Sequence, residues 1–385
     1  MRRRYDRSVA HTLSDNRIRA CRPGVSECGP CAREEVMKRI TGLLTGAMVG
    51  LTFMSGAHSA LAQSPTTKAG APCGATSATA VPNNAVEPKS GRQFVLQYPC
   101  DLKENEKVVL ILNIHGAGSS ANYQHRYFPA GDYAQKYRLV VATPTAAAAM
   151  PGRTWRAEAD DQFLHDLTDL MFREFGRQNI QSFWLAGHSQ GGATSARIVC
   201  SDFFKSKIDG FFSLSGGRQG GRTERHPNYN APAPGAPVPE TAATQGRGAG
   251  PAPATPPAAA ADGPMTCDYS HISAYGEWEI AAMPDTSTIA DKFGCKSRVA
   301  RPDIVDEKAG YVWDPSRQNP TRIGWGRQQR PGTAKMWVYN GCQDQRVVAD
   351  VLRIDKGHTE GLEPKVTEEI VKLMVSAKGG RAQAN

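Results

Sequence analysis

The chain has 385 residues and a formal net charge of +9, long enough for two or three domains. Much of that charge lies before residue 63. Residues 1–62 hold 10 of the 46 Lys and Arg and 5 of the 37 Asp and Glu, leaving 36 basic against 32 acidic residues, a net of +4. With no long basic run left, nucleic acid is excluded as the expected partner.

Residues 37–62 read as a secretory signal peptide. Met37, Lys38 and Arg39 open a basic start, residues 43–57 are mostly apolar without charge, and Ala60-Leu61-Ala62 is a small-x-small cleavage site. The apolar run is too short and too rich in Gly, Ser and Thr for a spanning helix. No stable membrane span is expected after cleavage, and the mature protein is expected to be periplasmic or secreted. Residues 1–36 then read as an over-extended start or leader, the alternative being a long cytoplasmic tail before an uncleaved anchor. Cys28-Gly-Pro-Cys31 falls in that leader with the spacing of a redox pair, but no strand precedes it. Six of the nine cysteines remain beyond it: Cys73, Cys100, Cys200, Cys267, Cys295 and Cys342. An even set in an exported chain suggests disulfides, with 15 pairings open.

From residue 106 onwards the elements alternate. Continuous apolar strands are predicted over 107–115 ("KVVLILNIH") and 138–144 ("RLVVATP"), as in strands buried on both faces. A helix follows over 160–175, with Phe163, Leu164, Leu167, Leu170 and Met171 on one stripe. Then come a strand at 182–187, a helix at 191–202 and a strand at 210–216. Such alternation predicts right-handed crossovers and a mainly parallel sheet with helices on both faces. The order breaks at 231–264, where 26 of 34 residues are Ala, Pro or Gly. A disordered Pro/Ala-rich insertion is expected over 222–265 inside one domain, 63–385. A further strand follows from 267 to 272 or 274, then a strand pair at 335–340 and 347–354. A closing helix over 363–377 packs Val366, Ile370, Leu373 and Met374.

"GHSQG", residues 187–191, is a common pentapeptide in a Gly-rich chain and weak by itself. Its place between a buried strand and a helix makes it a nucleophile turn. Such a turn projects the Ser189 hydroxyl and leaves the Gln190 N–H at a helix start, where it can face an oxyanion. The second donor is expected after strand 107–115, from the N–H of Ala117 or its neighbour. His115 there reads as a structural residue, since it precedes the nucleophile.

His358 is the expected base, because it follows the carboxyl end of strand 347–354. His188, His226, His271, His125 and His165 are less suitably placed. Asp344 is the nearest acid in sequence, yet only six residues separate the last two strands, which therefore form an antiparallel hairpin. Asp344 is then at its turn and His358 beyond its far end, roughly 26 Å away at about 3.3 Å per strand residue. A hydrogen bond is impossible over that span. The acid is instead expected after strand 267–274, where Glu277 and Glu279 both stand open, with Asp268 less well placed and Asp285 in reserve.

With these residues the chain resembles the secreted α/β-hydrolase esterases grouped as polyhydroxybutyrate depolymerases and feruloyl esterases. The likeness rests on His115-Gly116, "DDQFLHDL", "GHSQGG" and "YNGC…VVADVLRIDKGH". It covers roughly residues 91–374 without the insertion. The resemblance implies an α/β-hydrolase fold with a C-terminal hairpin that delivers His358. It places "YGEWE" where the family has H-G-T-x-D, hence Glu279 as the acid with Glu277 second, and it implies a Cys295–Cys342 bridge. Two departures touch substrate class: Glu in place of Asp, and His358-Thr359-Glu360-Gly361 where the family reads H-T-W-P-G. The expectation is an exported serine hydrolase acting on small or polymeric carboxylic esters, with no cofactor or metal. A peptidase or thioesterase on the same fold, and an inactive hydrolase-fold binding module, are the alternatives.

Overall fold

A computed structural model describes residues 67–80, 82–147, 153–219, 223–234, 266–313 and 322–384. The expected leader (1–36) and signal peptide (37–62) lie outside the described residues. In chain order the strands are β1 (Thr67–Lys68), β2 (Ala71–Pro72), β3 (Ala85–Glu87), β4 (Arg92–Gln97), β5 (Val108–Ile114), β6 (Leu139–Pro144) and β7 (Ile180–His188). They continue with β8 (Gly210–Leu214), β9 (Ser270–Gly276), β10 (Ser297–Ala300), β11 (Ile304–Val305), β12 (Thr333–Asn340) and β13 (Val348–Arg353). The α-helices are α1 (Ala121–Tyr127), α2 (Ala134–Tyr137), α3 (Ala157–Phe175), α4 (Gln190–Ile198), α5 (Thr288–Lys292) and α6 (Pro364–Ser376).

Eleven strands form one sheet in the order β10-β12-β13-β9-β8-β7-β5-β6-β4-β3, with β11 also on β12. The six central strands, β13 to β6, are mutually parallel, and the strands beyond them on both sides pair antiparallel. This is the α/β-hydrolase fold. Because β5 is buried throughout, its side chains divide between the two faces. Val108, Leu110, Leu112 and Ile114 join Phe163, Leu164 and Leu167 of α3, while Val109 and Ile111 join Val366, Ile370 and Met374 of α6. The sheet is thus covered on both faces, as the apolar strands require.

Three disulfides tie the fold: Cys73–Cys100, Cys200–Cys267 and Cys295–Cys342. No helix among the described residues is long and apolar enough to cross a membrane. Of the disordered insertion expected over 222–265, residues 223–234 are described and ordered. Non-local backbone partners hold this segment, although most of its residues are exposed: Ile323 N–H donates to Ala231 O and Gly324 N–H to Tyr229 O, both at 2.9 Å. Residues 235–265 lie outside the described residues. The helix expected over 191–202 ends at Ile198 and gives way to turns.

Two buried histidines predict how the fold responds to acid. Burial, aided by the Arg126 charge, lowers His125 to about 4, and burial lowers His271 to about 4 against the pull of Asp350. His271 is held neutral by geometry too: Nδ1 lies 3.2 Å from Phe211 O and Nε2 accepts from Gln219 N–H at 3.3 Å. Both stay neutral in the fold and protonate near 6.5 when unfolded, so their stability is present above pH 6.5 and lost as pH falls towards 4. Asp209 acts oppositely, burial raising it to about 6, which offsets roughly one histidine. Together these three groups lose on the order of 3 kcal/mol between pH 7 and pH 4. Urea midpoints at the two pH values read it, and His125→Phe should flatten the difference. An unchanged wild-type midpoint would contradict the assignment.

Candidate active site

β5, β7, β8, β9 and β13 are parallel neighbours, so their carboxyl ends lie along one edge of the sheet, where ligands of open α/β sheets collect. β7 runs into α4 through Ser189, whose φ of 53° and ψ of −119° lie outside the conformations open to most side chains. Glycines allow the turn. A Cβ on Gly187 would come within 2.3 Å of Gly191 C, one on Gly191 within 2.1 Å of Ile114 O, and one on Gly192 within 2.7 Å of Gly216 Cα. Ser189 N–H donates to Leu214 O at 2.9 Å, which ties the turn to β8.

Ser189 Oγ lies 2.8 Å from His358 Nε2, and His358 Nδ1 lies 2.7 Å from Glu279 Oε2. The carboxylate accepts the Nδ1 proton, so Nε2 presents its lone pair to the serine hydroxyl. Glu279 Oε1 is held in turn by Gly276 N–H at 2.8 Å and Ser215 Oγ–H at 2.6 Å. Four strand ends therefore contribute: β7 the serine, β8 Ser215, β9 the glutamate and β13 the histidine. An imidazole oriented this way can take a proton from the serine and return it to a leaving group.

Glu277 is placed differently. Its Oε2 accepts from Asp355 N–H at 2.8 Å, so it caps the loop that leads to His358. Asp344 sits in the turn between β12 and β13, exposed and 3.4 Å from Lys378 Nζ. The antiparallel register from Ala334↔Arg353 to Tyr339↔Val348 puts the whole of β13 between Asp344 and His358. The family-implied bridge Cys295–Cys342 closes at the base of that turn.

His115 is buried, with Nδ1 2.7 Å from Gly116 O and Nε2 accepting from Ala146 N–H at 2.9 Å. Gly116 packs onto the turn between β7 and α4, its absent Cβ falling 3.1 Å from Ser189 Cβ. Ala117 follows in an exposed turn, and Gln190 opens α4. Trp155 joins these parts, donating Nε1–H to His115 O at 2.8 Å and N–H to Gln190 Oε1 at 3.1 Å. His188 stacks on Tyr127 and lies 2.7 Å through Nε2 from His358 O. Trp325 meets His358 edge-on at 5.0 Å and Tyr229 packs against Trp325, giving the site an aromatic wall. Ser215 carries no motif and is visible only once the strands are assembled. No group of three or more His, Cys, Asp or Glu that could hold a metal ion occurs among the described residues.

No protein-family model and no curated protein sequence matches the chain. It is similar to solved structures of FphF, a fluorophosphonate-binding serine hydrolase of Staphylococcus aureus (18% identity, 32% of this chain and 51% of that one, TM-score 0.26). It is also similar to a soluble variant of monoglyceride lipase from Saccharomyces cerevisiae (19% identity, 36% and 43%, TM-score 0.27). A third is esterase 2 of Thermogutta terrifontis (12% identity, 50% and 70%, TM-score 0.30). The match spans about half of the first of these and less than half of the second.

The turn between β7 and α4 makes a direct test of packing. Gly191→Ala sets a methyl group 2.1 Å from Ile114 O, a backbone atom with no room to retreat. Its cost should exceed the roughly 1–3 kcal/mol of ordinary overpacking, read as a lowered urea midpoint. A wild-type midpoint would contradict the close approach.

Proposed function

We propose that this protein is an exported serine hydrolase that cleaves carboxylic esters, with Ser189 as nucleophile, His358 as general base and acid, and Glu279 as its orienting acid. The hydrogen-bonded chain Ser189–His358–Glu279, at 2.8 and 2.7 Å, carries this reading. His358 Nε2 takes the hydroxyl proton as Ser189 Oγ attacks the ester carbonyl carbon. The tetrahedral oxyanion is met by the backbone N–H groups of Gln190 and Ala117. As the intermediate collapses, the C–O bond to the alcohol breaks and the imidazolium proton passes to the departing oxygen. Water then enters, gives a proton to His358 Nε2 and attacks the acyl carbon. Collapse of this second intermediate frees the acid and returns the proton to Ser189.

Glu279 keeps the imidazole in the tautomer that exposes its Nε2 lone pair, and it stabilises the imidazolium that forms. Trp325 beside His358 supplies an apolar wall for the ester. Three disulfides and the signal-like segment 37–62 support a periplasmic or secreted location.

Kinetics on a short-chain p-nitrophenyl ester test the assignment. Ser189→Ala should lower kcat by about 10⁶-fold, and Glu279→Gln by on the order of 10⁴-fold. Asp344→Asn should leave kcat within about twofold, as expected of an exposed charge far from the reacting atoms. Hydrolysis retained in Ser189→Ala would overturn the reading. Loss in Asp344→Asn with activity kept in Glu279→Gln would reassign the acid.

A further inference from the structure

The loop after His358 carries a buried acid that the reaction itself does not use. Glu360 is only 4% exposed. Its Oε1 accepts two backbone protons, from Gly357 N–H at 3.0 Å and from Arg327 N–H at 3.1 Å. Its Oε2 accepts from Arg330 Nη1 at 2.8 Å, with Lys356 Nζ at 3.7 Å. Gly357 immediately precedes His358, and Arg327 follows Trp325 by two residues. One carboxylate oxygen therefore bridges the loop bearing the base and the segment bearing the aromatic wall.

The two segments meet too closely for a side chain between them. A Cβ on Gly357 would lie 2.4 Å from Gly326 N, and one on Gly326 would lie 2.8 Å from Glu360 Cγ. Gly326, with φ of +116°, turns the chain so that the Arg327 N–H faces inwards. His358 N–H and Thr359 N–H donate to Gly324 O and Trp325 O, at 2.9 and 2.8 Å. Glu360 completes this seam by accepting two amides that a buried backbone must satisfy.

We propose that Glu360 is a positioning residue for His358, fixing the imidazole relative to Ser189 through its Oε1 acceptor rather than through its charge. This rests on His358 being the general base. The charge is matched around it: Arg330 binds Oε2, while Arg353 and Lys356 are shared with Glu363, at 3.1 and 2.7 Å. Acceptance and charge can therefore be separated by substitution.

Three variants divide the roles. Glu360→Gln keeps a carbonyl oxygen for both amides and loses the charge. Arg330→Met removes the ion pair, together with the Arg330 contacts to Asp355, and leaves the amide bonds. Glu360→Asp keeps the charge and withdraws the oxygen by one methylene. Glu360→Asp should lose kcat by about 100-fold with KM within about threefold, the signature of a misplaced catalytic group. Glu360→Gln and Arg330→Met should stay within about fivefold in kcat although their Tm falls. If kcat instead follows Tm across all three, Glu360 is merely structural and the proposal fails. If Glu360→Asp keeps wild-type kcat, it fails as well. Ser189-dependent hydrolysis by the wild-type protein in the same assay separates this failure from failure of the hydrolase reading.

Discussion

His358 reaches Glu279 because β13 and β9 lie parallel and in register from Val348↔His271 to Arg353↔Gly276. Each strand then turns out of the sheet at the same level. Glu277 N–H still bonds Arg353 O, and Trp278 N–H bonds Lys356 O, so the pairing continues into the loops. A slip of one residue would turn every side chain of β13 to the other face and carry the imidazole away. Buried polar contacts oppose such a slip. Asp350, within β13, accepts from Arg218 Nε and Nη2, each at 2.9 Å, and from Ser273 Oγ–H of β9 at 2.7 Å. Breaking this matched pair would leave a buried charge uncompensated, which costs several kcal/mol.

Behind the histidine loop a second polar cluster works in the same direction. Burial raises the Glu360 carboxyl, against the guanidiniums of Arg330 and Arg353. Burial also raises Glu363, yet Arg353 and Lys356 outweigh it and hold that carboxyl below the ordinary range. Asp355 is held low as well: the Trp278 indole and the Arg327 and Arg330 guanidiniums outweigh its burial. Apolar packing alone would set this loop less specifically, since hydrophobic contacts have no direction. The hydrogen bonds give it one conformation.

Much of this was legible in the sequence because it depends on local pattern. Apolar runs of 107–115 and 182–187 mark β5 and β7, and a glycine-flanked serine after the second marks the turn. The place of Asp344 followed from chain geometry, since six residues cannot connect parallel neighbours. What was not legible depends on partners distant in sequence. Glu277 and Glu279 stand two residues apart in similar surroundings, and only the path of the chain beyond Gly276 sends one to Asp355 and the other to His358. The edge strands β3, β10 and β11 are short and partly exposed, so they carry no periodic signal. Only residues 231–234 share the Pro/Ala-rich composition, and the order of 223–234 comes from hydrogen bonds to residues 322–324 and from Tyr229 against Trp325.

The central claim is that the Ser189 hydroxyl is made nucleophilic by its hydrogen bond to His358. Incubation with a fluorophosphonate, followed by proteolysis and mass mapping of the adduct, tests it directly. One phosphonyl group per chain on the peptide containing Ser189 is the predicted result, with labelling lost in His358→Gln. An adduct on another residue, or labelling of Ser189 undiminished in His358→Gln, would contradict the account.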